Sequence, residues 1–121
     1  MSDRIKTALL AATTWLRANP TKHIAGSLAV DKEGKDCSPN APEAECFCML
    51  GRISHELNLD GYPADEDPEV ETFFRSKDSS EGEIFSENDL GHYRRGPGHC
   101  PGTSLANPSV LDYVDRLARD E

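Results

Sequence analysis

The side chains best able to do chemistry in this chain are its four cysteines and four histidines. Cys46 and Cys48 flank Phe47 in mid-chain, Cys37 precedes them, and His99 and Cys100 are neighbours in a late glycine-rich stretch. Thiolates with an imidazole suit tetrahedral zinc, so Cys37, Cys46, Cys48, His99 and Cys100 are the metal candidates. Their spacing argues against zinc. There is no Cys-x-x-Cys, and on one helix Cys46 and Cys48 would stand about 200° apart, facing one ion only if the helix starts after Cys46. Cys48 and His55 would share a helical face, but about 10.5 Å of rise separates them. The expectation is buried cysteines packing as small hydrophobes, with no cofactor. Without a secretory signal reduced thiols are expected, and Cys37–Cys100 is the first pairing to test if a bridge forms.

A second chemistry is nucleophilic. Cys100 has His92, Arg94, Arg95 and His99 within eight residues, the electropositive surroundings that a thiolate needs. The candidate catalytic group is therefore Cys100 with His92 or His99, although neither an acid partner nor an oxyanion donor is evident. The same segment could instead hold a small anionic ligand, with Arg94 and Arg95 on its charge and Tyr93 stacking on a ring. Asn88 and Asp89 would add hydrogen bonds at the pocket edge. Each feature has a plainer alternative: a surface loop shaped by glycine and proline, and an Asx turn or helix cap.

The elements that must position these groups follow from periodicity. Residues 44–57 place Cys46, Leu50, Ile53 and Leu57 at helical spacing, which predicts a central helix on which the others dock. Pro42 and Glu43 would form its approach. Gly51 in mid-helix costs about 1 kcal/mol against alanine, so something is expected to press on the backbone there. Ile5, Ala8, Leu9, Ala12 and Leu16 predict an amphipathic first helix, capped by Asp3 and stopped at Asn19-Pro20, with Trp15 in the core. Residues 22–30 read as a short strand with His23 at the surface, and Asp31 to Gly34 as a tight turn. Asp67-Pro68-Glu69 starts a helix over residues 68–75, with Val70, Phe73 and Phe74 inward. Residues 77–83 read as a mobile loop anchored by Ile84 and Phe85. Asn107-Pro108 opens a last helix carrying Val110, Leu111, Val114, Leu117 and Ala118 on one face.

Composition narrows the function classes. The chain has 121 residues and a net charge of −9, carried unevenly. Residues 1–30 are net +3, residues 61–90 hold ten acidic and two basic side chains, and the last thirty-one residues balance. That acidic middle argues against phosphate-backbone binding, which depends on clustered Lys and Arg. It could attract a basic partner, or simply solubilise. No stretch approaches the roughly 18 apolar residues of a membrane span. Thr13 and Thr14 interrupt the first apolar run, which therefore reads as a helix of a cytoplasmic protein rather than a signal peptide.

With these elements placed, the chain resembles a small bacterial and phage family of domains of unknown function. The matching features are Trp15 in the first helix, the Asp31 to Gly34 turn, Cys48 with Gly51, the Asn88-Asp89 pair and the helix after Pro108. Arg52-Ile53 departs from the family's usual Ala-Leu, and residues 91–106 are longer than its short link. The resemblance implies a fold and a phage or bacterial setting, and no reaction.

These readings converge on one domain over residues 1–121, mainly α (α+β), with about four helices and a minor two-stranded β element. The leading functional expectation is a non-enzymatic, phage-encoded binding protein. It would act through residues 88–100 on a small anionic ligand, or through its acidic face on a host protein. The rival is a small cysteine- or metal-dependent enzyme using Cys100, and a purely structural role is the third.

Overall fold

Helix α1 (Asp3–Ala18) is the element against which most of the molecule packs. The computed structural model describes residues 3–24, 27–80, 82–84 and 108–119. Within them the chain is a small, mainly α domain with a two-stranded antiparallel sheet. After α1 come a short 3-10 turn (Pro20–Lys22), β1 (Ala29–Val30), β2 (Cys46–Phe47) and α2 (Met49–Glu56). There follow α3 (Pro63–Glu66), α4 (Pro68–Ser76) and α5 (Pro108–Arg119).

The apolar stripe of α1 is buried as its spacing predicts: Ile5, Leu9, Ala12 and Leu16 are fully enclosed. It lies along α5, whose Val110, Leu111, Val114, Leu117 and Ala118 are all buried, and against α2. Full burial of a Leu or Ile side chain stabilises by about 1.5–3 kcal/mol, so this seam is a main source of stability. Polar groups add register. The Thr13 hydroxyl donates to Asp115 at 2.7 Å, and Arg17 pairs with Asp115 at 2.6 Å and with Asp112 at 3.1 Å.

The helix expected at the centre over residues 44–57 is shorter than that, and the hub is α1 instead. Helix α2 begins at Met49, because the backbone before it is engaged elsewhere. The Glu45 amide donates to the Val30 carbonyl, and Cys46 and Phe47 pair with Val30 and Ala29. Cys48 is extended (φ −80°, ψ 175°) and caps α2, its Sγ accepting from the Gly51 amide at 3.3 Å. Residues 41–44 make turns rather than a first helical turn. The predicted strand over residues 22–30 likewise contracts to Ala29–Val30, and His23 is buried at 1% exposure, not on the surface.

Gly51 has the close neighbour its position predicts. A Cβ there would stand 1.7 Å from the Leu28 carbonyl oxygen, which itself accepts from the Cys48 amide at 3.1 Å. Gly34 adopts φ 86°, closing the turn after Asp31, whose carboxylate accepts from the Glu33 and Lys35 amides. Asp67 caps α4 by accepting from the Glu69 amide at 3.0 Å, and Val70, Phe73 and Phe74 face the core. Ile84 is fully buried, as an anchor should be.

Candidate functional site

The sequence-derived loop site lies outside the described residues: Asn88, Asp89, His92, Tyr93, Arg94, Arg95, His99 and Cys100 all fall there. The cysteines before it are placed, and they correct two expectations. Cys46 is in a disulfide, so it is neither a reduced core thiol nor a zinc thiolate. Cys37 carries a thiol, so the Cys37–Cys100 bridge is not the one formed. Burial, then the charges of Glu43, Asp31 and Asp36, push the Cys37 thiol up from its ordinary value. Among the described residues no three His, Cys, Asp or Glu side chains gather as a metal centre.

Arg52 has a clear place. Its guanidinium lies 4.0 Å from the Trp15 ring centre and 5.0 Å from that of Phe47. Its Nε and Nη2 donate to Glu56 Oε2 at 2.9 and 2.7 Å, one turn along α2. Burial lowers the Arg52 pKa from its ordinary value, and the Glu56 hydrogen bond and charge oppose that shift. Trp15 is thus partly buried and serves as a platform, meeting Phe47 edge-on at 5.4 Å. His55 Nδ1–H donates to the Pro39 carbonyl at 2.7 Å while its ring meets Phe47. This cluster ties α1, β2 and α2 together, and its charges satisfy one another.

The acidic segment builds a different surface. A groove of about 310 Å³ opens between α3, α4 and Ser79, Ser80 and Gly82, its lining including Ala64, Asp65, Glu71, Phe74 and Arg75. Glu71 and Arg75 pair at 3.1 Å across one turn of exposed helix, an arrangement that contributes little in water. Asp65 is exposed and forms no ion pair with a described residue. Ser79, beside the groove, hydrogen-bonds the Tyr113 hydroxyl of α5, which donates to Glu83 at 2.9 Å. Ser79 and Glu83, in the stretch expected from sequence to be a mobile loop, are therefore both tied to the Tyr113 hydroxyl of α5. A larger groove of about 520 Å³ lies between α1 and the end of α2. Two of its charged side chains are committed, Arg4 to Asp67 and Glu69, and Glu56 to Arg52.

Sequence reading located the acidic run but not the groove. Glu71, Phe74 and Arg75 at i, i+3 and i+4 signal a shared helical side, yet nothing in the sequence tells that α3, Ser79, Ser80 and Gly82 enclose it. The chain shows no match to a family model, a curated protein or a solved structure. No described helix is long and apolar enough to cross a membrane.

Proposed function

We infer that this is a binding protein whose acidic face, centred on the α3–α4 groove, receives a basic segment of a partner protein. The observation that supports this is the composition of the groove. Ala64 and the small exposed edge of the otherwise buried Phe74 offer a narrow apolar floor, while Asp65 and Glu71 stand beside it. A Lys or Arg stem packs on such a floor and its charged head meets the carboxylates. Seven described acidic residues between 65 and 83 outnumber Arg75 and Lys77 on that segment and Arg4, which pairs with Asp67 and Glu69, and the net negative charge gives the face a steering field. In the phage setting that the sequence resemblance implies, the partner is a host protein.

The test is affinity capture from bacterial lysate with the wild-type chain and with Asp65→Asn/Glu71→Gln. The expected result is a partner of basic surface, retained by wild type at low salt, released as salt rises, and lost by the variant. A partner retained equally by both proteins would overturn the assignment of the face.

A further inference from the structure

We propose, on the reading that the acidic face receives a basic segment, that Tyr113 of α5 is the positioning residue of the α3–α4 groove. Its hydroxyl fixes the wall against which a lysine or arginine side chain seats. The wall begins where α4 ends. The Asp78 amide donates to the Arg75 carbonyl at 3.1 Å and the Ser79 amide to the Phe74 carbonyl at 2.9 Å, with Asp78 at φ 54°. Two such bonds around a left-handed residue make a Schellman cap, which delivers Ser79 to the groove. The bonds that follow are longer. The Ile84 amide reaches the Ser80 carbonyl and the Glu83 amide the Ser80 hydroxyl, each at 3.3 Å, before Ile84 enters the core.

Tyr113 joins the two ends of this turn. Its hydroxyl donates to Glu83 Oε2 at 2.9 Å, so its single proton is committed and the Ser79 hydroxyl is the donor in their contact. The chain runs one way, from Ser79 through Tyr113 to a carboxylate, and the charged end strengthens it. The tyrosine is itself well held. Val110, Val114 and Leu117 beside it on α5 are buried, and the Arg116 guanidinium lies 5.9 Å from its ring centre. Tyr113 and Glu83 are not among the described residues that line the groove, so their effect on an occupant passes through the wall.

Two attractions act on a basic side chain in the groove, and they differ in reach. The carboxylate field extends over a Debye length of about 8–10 Å, so a wall displaced by about 1 Å leaves it nearly unchanged. Packing of the stem is far less tolerant, because a gap of about 0.5–1 Å forfeits a quarter to a half of the dispersion attraction. Loss of the Tyr113 hydroxyl should therefore weaken binding by a similar factor at every salt concentration. Loss of the Asp65 and Glu71 charges should instead flatten the salt dependence.

The experiment measures binding of a fluorescent hexalysine peptide to the full chain across a salt series. Tyr113→Phe should bind about three- to tenfold more weakly throughout, with the salt dependence of wild type and a melting temperature within about 3 °C of it. Glu83→Ala and Glu83→Gln carry the same charge, and only glutamine keeps an acceptor for Tyr113. Glu83→Ala should therefore bind more weakly than Glu83→Gln by about the same factor, and this pair decides if Tyr113→Phe does not fold. Equal affinity of Tyr113→Phe and wild type, or of Glu83→Ala and Glu83→Gln, would overturn the positioning role alone, provided that Asp65→Asn/Glu71→Gln still binds weakly. Equal binding of the peptide by wild type and Asp65→Asn/Glu71→Gln would overturn the acidic face itself, and the role of Tyr113 with it.

Discussion

Two regions of this small domain solve opposite problems. Where β1, β2 and α2 meet, single atoms decide: the Leu28 oxygen occupies the space a Gly51 side chain would need, and the Cys48 amide and sulfur are both engaged. Over α3 and α4 no single atom decides. Carboxylates point outward, the Glu71–Arg75 pair is largely exposed, and what the surface presents is a summed charge around an apolar floor. The contrast teaches that stability and interaction are assigned to different parts of the chain. Substitutions in the first region should unfold the protein, and substitutions in the second should leave it folded and change what it meets.

The sharpest way to break that division is Gly51→Ala. A methyl group forced against a backbone carbonyl has no flexible neighbour to displace, so a loss of about 3 kcal/mol or more is expected in urea unfolding. A loss under about 1 kcal/mol would mean that the Leu28 contact yields.

Next in size is Arg52→Ala, which removes the stack on Trp15 and Phe47 together with the Glu56 pair. The expected cost is about 1–2 kcal/mol, and Arg52→Lys should recover only part of it because an ammonium cannot reproduce the planar stack. Full recovery by lysine would reduce the role of Arg52 to its charge.

The smallest effect concerns acid. The Arg4 hydrogen bond holds the Asp67 carboxyl below its ordinary value of 3.8, helped by the Glu69 amide and opposed by burial. A depressed carboxyl contributes stability above its unfolded value and loses it as pH falls through the folded one. Stability should therefore decline below about pH 4, and Asp67→Asn, which can still cap α4, should flatten that decline. Because Arg4 is half exposed, the difference should stay under about 1 kcal/mol. Parallel curves for the two proteins would show that other carboxyls carry the acid response.

Much of the fold was legible, and the failures have one cause. The stripes of α1, α4 and α5 appear in the sequence as helical spacing because each buries one side against a neighbour. Residues 44–48 carried the same spacing yet became β2 and a cap, because Val30 and Leu28 accept their amides and a tertiary pairing overrides local period. His23 failed for a related reason: its backbone pairs with Phe47, which draws a polar side chain inside. At the candidate site the acidic run was visible, but its groove joins α3, α4, Ser79, Ser80 and Gly82, a closure that no local pattern encodes. The disulfide at Cys46 was missed because cysteine pairing depends on through-space geometry that spacing does not report.

The most direct measurement sets both regions against one variant, Asp65→Asn/Glu71→Gln/Asp78→Asn. Asp78 sits at φ 54°, which asparagine tolerates well. Melting and partner capture are followed on the same preparation. The account predicts a melting temperature within about 3 °C of wild type, together with loss of the salt-sensitive partner. A variant that unfolds, or one that melts normally and captures the same partner as before, would contradict it.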